Sequence, residues 1–332
     1  MEDSPLAVGV DIGGTHTKLA LVDKGGNIAE FQRMSSDAFG NPQPFLDELV
    51  RRIEKLREGR EGVIGIGLSV HGYVDPERKG PIVCPNTPAL RGLNLRGLME
   101  DNFGLPVVIN NDLTAHVLAE YDYGSGRGTR RFLCMAVGTG LGAGMVIDGE
   151  PLRYLGGCAG DTGHVIIQPG GPSCSMGCQG CAEALCGVAG IERLAKERTG
   201  QDTPAHEVIS KAREGELEAA AIMEQIGEWL GLTLASLCSI YLPERVALTG
   251  GVSEAGPVLL EACERRFREL VGVYHERTVE MAGQFYKGVE FVQGEMRGQT
   301  GVVGAVSELL RPHKTTQEGS PSCLRIEHRS SR

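Results

Sequence analysis

Val10-Asp11-Ile12-Gly13-Gly14-Thr15 decides the fold; it joins an apolar run over 6–10 to an alternating run over 17–22. The two runs read as strands and the paired glycines as the turn between them. Glycine has no Cβ, so such a turn can be tight and can bring its backbone N–H groups close to an anion. Asp11, at the end of the first strand, sets a carboxylate where Mg²⁺ or its water shell can be held. The hydroxyls of Thr15 and Thr17 are candidate phosphate donors. Taken alone, the stretch fits equally well a plain hairpin turn whose Asp bonds its own backbone.

The same pattern returns later in the chain. An apolar run over 131–137 leads into Val137-Gly138-Thr139-Gly140-Leu141-Gly142-Ala143-Gly144 and a second apolar run ending at Ile147. A third glycine pair stands in Leu248-Thr249-Gly250-Gly251-Val252, between a strand and a helix, where a helix N-terminus suits a nucleotide. None of the three turns fits a Walker A or G-x-G-x-x-G pattern. Around them the spacing predicts a third strand over 28–34, helices over 42–58, 93–102, 113–123, 217–241, 257–271 and 300–310, and strands over 63–69, 106–109, 245–249 and 289–292. Two halves that each begin with a glycine-bent hairpin describe a duplicated α/β domain.

Length and charge agree with this. The 332 residues suit two domains of about 150 residues each. A net charge of −10 argues against nucleic acid or an anionic membrane as partner. No apolar run is long enough for a membrane span, and Met1 to Pro5 lacks the basic and apolar pattern of a signal peptide. The chain is therefore expected to be cytoplasmic, with its ten Cys as thiols or metal ligands. Cys174, Cys178 and Cys181 fall within eight residues. The stretch from Pro312 is polar and rich in Ser and Thr, and is expected to be disordered. Asn111-Asp112, between a strand and a helix, reads locally as a helix cap. The same position, at the carboxyl edge of a sheet, is also where α/β clefts form.

These motifs, in this order, resemble the ROK family of sugar kinases and repressors, within the actin-like ATPase superfamily. The likeness spans about 6–310. It implies two actin-like (ribonuclease H-like) α/β domains with a cleft between them. The N-terminal domain would take 1–113 plus about 299–311, on the sugar side. The C-terminal domain would take 114–298, with ATP and zinc. The resemblance identifies Asp11, Gly13, Gly14, Thr15 and Lys18 with the first phosphate turn, Thr139, Gly140 and Gly142 with the second, and Gly250 and Gly251 with the adenosine segment. It makes Asp112 the catalytic base, and it gives Gly72, Asn86, Asn111, Asp161, His164 and Glu183 to the sugar. Where the family usually carries Glu, this chain has Asp161, one methylene shorter. His71 stands where many relatives have Pro, and is expected to be a surface or packing residue.

Gly163-His164 followed by Cys174 to Glu183 resembles the family's zinc signature. Its usual second Cys is here Met176, a poor ligand, so Cys178 is expected to substitute, with Cys158 and Cys186 in reserve. His164, Cys174, Cys178 and Cys181 would make a closed structural Zn²⁺ site. The alternative is a set of free thiols. The activity implied is ATP- and Mg²⁺-dependent phosphorylation of a hexose, with glucose 6-phosphate as default product. N-acetylmannosamine, N-acetylglucosamine, fructose and allose are alternatives, and a homo-oligomer, a dimer, is expected. Family repressors carry an added N-terminal helix-turn-helix, for which a first turn within the opening dozen residues leaves no room. Intact Asp11, Asp112 and glycine turns argue against a sugar sensor without catalysis. The Cys spacing beside Gly-His, with Asn111-Asp112, argues against an iron–sulfur ATPase.

Overall fold

A computed structural model describes residues 5–36 and 40–311. The first lobe opens with β1 (Leu6–Ile12), β2 (His16–Asp23) and β3 (Ile28–Ser35), the meander that the glycine turns require. α1 (Gln43–Arg57) follows Pro42 and buries Phe45, Leu46, Leu49, Ile53 and Leu56, one stripe at helical spacing; Lys55 and Arg57 complement the dipole of its last turn. Then come β4 (Val63–Val70), a small hairpin of β5 (Tyr73–Val74) and β6 (Pro81–Val83), α2 (Leu95–Phe103), β7 (Val107–Asn111) and α3 (Asp112–Tyr123). The sheet order is β3-β2-β1-β4-β7, antiparallel through β1 and parallel beyond it.

The second lobe repeats this plan. It holds β8 (Arg131–Val137), β9 (Leu141–Ile147), β10 (Glu150–Pro151), α4 (Ala182–Cys186), α5 (Val188–Thr199), α6 (Ala205–Arg213), α7 (Leu217–Tyr241), β11 (Arg245–Thr249), α8 (Pro257–Ala282) and β12 (Glu290–Gln293). Its sheet runs β10-β9-β8-β11-β12, with β8 antiparallel to β9 and parallel to β11. The core lies between this sheet and α7 and α8, with Ile226, Leu230, Val246 and Phe267 fully buried. α5 and α6 are absent from the sequence reading, although Gly200 (φ 74°) closes the first and Pro204 precedes the second. α8 runs eleven residues beyond the expected end at 271, through buried Gly272 and His275. The expected disorder from Pro312 lies outside the described residues.

α9 (Thr300–Leu310) returns to the first sheet. Bare glycines make this possible. A Cβ on Gly9 would lie 2.0 Å from the Val302 carbonyl oxygen, and one on Gly67 2.0 Å from that of Ala305. On its other side, Gly304 lies against α3, where a Cβ would come within 1.7 Å of the Ala115 oxygen. α3 in turn packs on β9, with Val117 filling the space over Gly144. The division proposed at 113/114 falls just inside α3, whose faces serve both sheets.

Gly304→Ala is expected to destabilise the protein by about 1–3 kcal/mol, because two backbones must part to admit the methyl group. The urea midpoint should fall at unchanged slope. Gly40→Ala, which meets nothing within 4 Å, should leave it in place.

Candidate functional site

β1 delivers Asp11 to the space between the lobes. Ser69 donates to its Oδ1 at 3.1 Å, and Lys18 Nζ stands 4.0 Å from Oδ2. Gly301, at the start of α9, presses on the same carboxylate; any side chain there would displace it. A cleft of about 640 Å³ opens here, lined by Asp11 and Lys18 from the first lobe, Thr300 and Gly301 of α9, and Gly250, Gly251, Ser253, Pro257 and Gln293 from the second. Gly250 has φ 82°, and the Val137 carbonyl oxygen fills its Cβ position at 2.3 Å, so only glycine fits.

The cleft therefore joins the first and third glycine segments. Gly13, Gly14, Thr15, Thr139, Gly140 and Gly142 are not among its lining residues. Thr17 is turned away altogether: it is fully buried and shares a 2.7 Å hydrogen bond with Ser36. The expectation that its hydroxyl meets phosphate is corrected, because strand alternation sends it to the face opposite Lys18. Among the cleft residues that sequence reasoning missed are two that can carry charge, His116 and Arg297. His116 lies one turn along α3 from Asp112, and its Nδ1 donates to the Asp112 carbonyl at 2.8 Å.

Asp112 opens α3 directly after β7. Asn111 does cap the helix: its Oδ1 accepts from the Leu113 N–H at 2.9 Å. Its Nδ2 donates to the Gly72 carbonyl at 2.6 Å, so this buried amide ties the helix start to the β4–β5 corner. Asp112 Oδ1 accepts from the same Leu113 N–H at 3.0 Å, and Oδ2 lies 3.0 Å from His71 Nδ1. The helix dipole favours negative charge there. Gly72 has φ 92° and meets the Val83 oxygen where a Cβ would stand, which excludes any side chain.

Beneath this corner lies a charged network that no local signal announces. Glu308 of α9 binds Arg78 at 2.6 Å and Arg153 at 3.0 Å, and accepts from Asn110 Nδ2 at 2.8 Å. Burial raises the Glu308 pKa, but the two guanidiniums outweigh it, and the carboxyl titrates below its usual value. Arg78 also donates to the Ile109 carbonyl at 2.7 Å. The last residues of β7 are thus anchored from both lobes.

Between the lobes, Tyr73 of the first donates its hydroxyl to Asp161 of the second. That bond raises the Tyr73 pKa to about 12. Asn86 lies on an exposed loop against Gly14. Glu183, in the first turn of α4, accepts from the Leu141 N–H at 3.2 Å and sits over Gly140, so it braces the second glycine turn.

Next to it, the ligand atoms of His164, Cys174, Cys178 and Cys181 all lie within 4.8 Å of one another. Cys174 Sγ and Cys178 Sγ are each 3.7 Å from His164 Nδ1. Ligands on a tetrahedral Zn²⁺ at about 2.0–2.3 Å stand roughly 3.5–3.8 Å apart, so the set fits such an ion. The turn that brings the thiols together is closed by Cys174 N–H to the Cys178 carbonyl (2.9 Å) and Gly177 N–H to the Cys174 carbonyl (3.1 Å), with Gly177 at φ 91°. Burial raises the Cys174 pKa, but backbone N–H groups at Met176 and Cys178 and the neighbouring thiols bring it down to about 7, favouring thiolate. Met176 points outward, 76% exposed. Cys158 and Cys186 stand apart; the latter is buried in the second core.

The ROK family model matches residues 7–310. Glucokinase of Streptomyces coelicolor is 30% identical over 325 residues, covering 92% of this chain and 98% of the relative. The structure of a ROK family glucokinase from Streptomyces griseus in complex with glucose and AMPPNP is 28% identical, with a TM-score of 0.74 over 92% of this chain and 98% of that one. The xylose repressor of Caldicellulosiruptor bescii is 26% identical over 91% of this chain and 77% of the repressor. This chain shares the two-domain actin-like α/β fold of these kinases, here built on two five-stranded sheets. With nearly every described residue inside the family match, this chain belongs to the ROK family.

Proposed function

We propose that the protein is an ATP-dependent sugar kinase. The observation that carries this reading is the placement of Asp112. This carboxylate opens α3 beside Asn111, which ties the helix start to the β4–β5 corner, and His116, one turn further along α3, lines the cleft that holds Asp11, Lys18 and the Gly250-Gly251 backbone. Phosphoryl transfer needs such a base near the attacking hydroxyl and cations around the phosphates. Asp112 would take the hydroxyl proton as the sugar oxygen bonds to the γ-phosphorus. The bond from that phosphorus to the bridging oxygen breaks, and ADP leaves with its electron pair. Lys18 and the glycine backbone would steady the phosphates. Asp11, with Ser69 holding one oxygen, is the residue fitted to Mg²⁺, which would neutralise phosphate charge.

Glucose is the proposed sugar and its 6-hydroxyl the proposed acceptor, on the strength of the glucokinases among the relatives. Asn86, Asn111, Gly72, Asp161, His164 and Glu183 are the proposed surroundings of the sugar. The Tyr73–Asp161 bond makes N-acetylmannosamine, N-acetylglucosamine, fructose and allose the alternatives to test beside glucose, because it alters one hydroxyl-facing carboxylate. Zn²⁺ on His164, Cys174, Cys178 and Cys181 would be structural, holding His164 and Glu183 in place. A dimer is the proposed assembly. The resemblance to a xylose repressor favours a second reading, a sugar-responsive regulator.

Coupled ADP release over a panel of hexoses with MgATP separates the two. Turnover of one sugar well above the rest is expected. No turnover of any sugar, with sugar binding retained, would leave the regulator.

A further inference from the structure

His71, expected to be a surface or packing residue, is partly exposed and also hydrogen-bonds to Asp112. It follows β4 and precedes Gly72, whose left-handed φ of 92° turns the chain and brings the imidazole to Asp112. Nδ1 lies 3.0 Å from Asp112 Oδ2, while the helix backbone at Leu113 holds Oδ1 at 3.0 Å. The carboxylate is thereby fixed by one group on its own helix and one from the neighbouring strand end. An ionised carboxylate has no hydrogen to give, so Nδ1 carries the proton and the imidazole donates. The His71 side chain remains 42% exposed, so it exchanges protons with solvent.

We propose that His71 is a positioning residue for Asp112 that also sets the pH at which Asp112 acts as a base. The inference rests on the kinase reading. Neutral His71 holds the carboxylate in place and leaves its charge uncompensated, so Asp112 accepts the hydroxyl proton readily. Protonated His71 keeps the hydrogen bond but adds a positive charge beside Asp112, which weakens it as a base.

The direction of the pH effect follows. Three carboxylates act on the ring: Asp112 of α3 at hydrogen-bond distance, Glu183 of α4, and Asp11 of β1. The bond to Asp112 raises the His71 pKa most, burial opposes it, and the other two charges add to the rise. The imidazolium therefore persists to higher pH than that of an unperturbed histidine. kcat/KM should climb as pH rises through that ionisation.

The experiment measures kcat/KM against pH for the full chain and for His71→Asn, with saturating MgATP. The Asn amide can donate where Nδ1 does, but it does not titrate. Its acid limb should move to lower pH, so that at about pH 6 it keeps a several-fold larger fraction of its own plateau than the unaltered chain does. His71→Ala loses the bond and should lower kcat by about ten- to a hundredfold across the range. NMR of the ring nitrogens supplies a readout independent of turnover. His71 should titrate above its ordinary value, and Asp112→Asn should bring it down. An unmoved acid limb in His71→Asn, or a His71 titration indifferent to Asp112→Asn, overturns the proposal. Absence of turnover by the unaltered chain fells the kinase reading instead, and the ring titration still decides whether the pair exists.

Discussion

Asp112→Asn should lower kcat by about 10²–10⁴, the usual contribution of a positioned general base. The fold should survive. The Asn amide keeps an oxygen where Asp112 Oδ1 accepts from Leu113 N–H, and Asn111 caps the same helix independently. The charge lost from the helix N-terminus costs only about 0.3–1 kcal/mol. Sugar affinity should change little, because the β4–β5 corner is held by Asn111 and Gly72 rather than by the substituted carboxylate. The discriminating result is therefore a split: kcat collapses while the sugar dissociation constant and the unfolding midpoint stay close to those of the unaltered protein. Retained turnover would remove Asp112 from the role of base. A loss of binding equal to the loss of turnover would make it a sugar ligand instead.

Much of this was legible in the sequence because the deciding features are local. Asp11-Ile12-Gly13-Gly14 announces a hairpin through glycine alone, and 131–147 repeats it. Those two turns fix the antiparallel edge of each sheet, and the remaining strands follow in parallel order. Helices with one clean apolar stripe, such as α1, were equally readable. What was not readable depends on distant partners. Arg78, Arg153 and Glu308 are separated by 75 to 230 positions and carry no local pattern, yet they pin the end of β7. His71 had the same difficulty, since its partner is 41 residues away. α5 and α6 were missed although their signals are present: Ala205, Val208, Ile209 and Ala212 fall at helical spacing, and Gly200 and Pro204 mark the break between the two helices. Thr17 went wrong for a different reason: a hydroxyl beside a glycine turn reads as a ligand until the strand's alternation is counted across the turn.

The cysteine loop supplies the second large effect. Its thiols are spaced C-x₃-C-x₂-C, and the chain spends Gly177, at φ 91°, on folding Cys178 back toward Cys174. Met176, between them, faces solvent. Cys178→Ser should therefore reduce bound zinc from about one per chain to a small fraction, since a hydroxyl is a poor replacement for thiolate in a four-ligand site. Met176→Ala should leave the zinc content unchanged. The second lobe should stay folded without the metal, because its buried core lies chiefly between β8, β11, α7 and α8, and of the loop over 166–180 only Ile167 packs against it. The damage should be local. With His164 and Cys181 untethered, α4 loses its fixed start, and Glu183 its grip on the Leu141 N–H. Proteolysis should then cut within 166–180, and the KM for sugar should rise more than kcat falls. Full zinc occupancy in Cys178→Ser would take Cys178 out of the ligand set. Loss of zinc without loosening of the loop would mean that the backbone bonds from Cys174 to Cys178 hold the turn unaided.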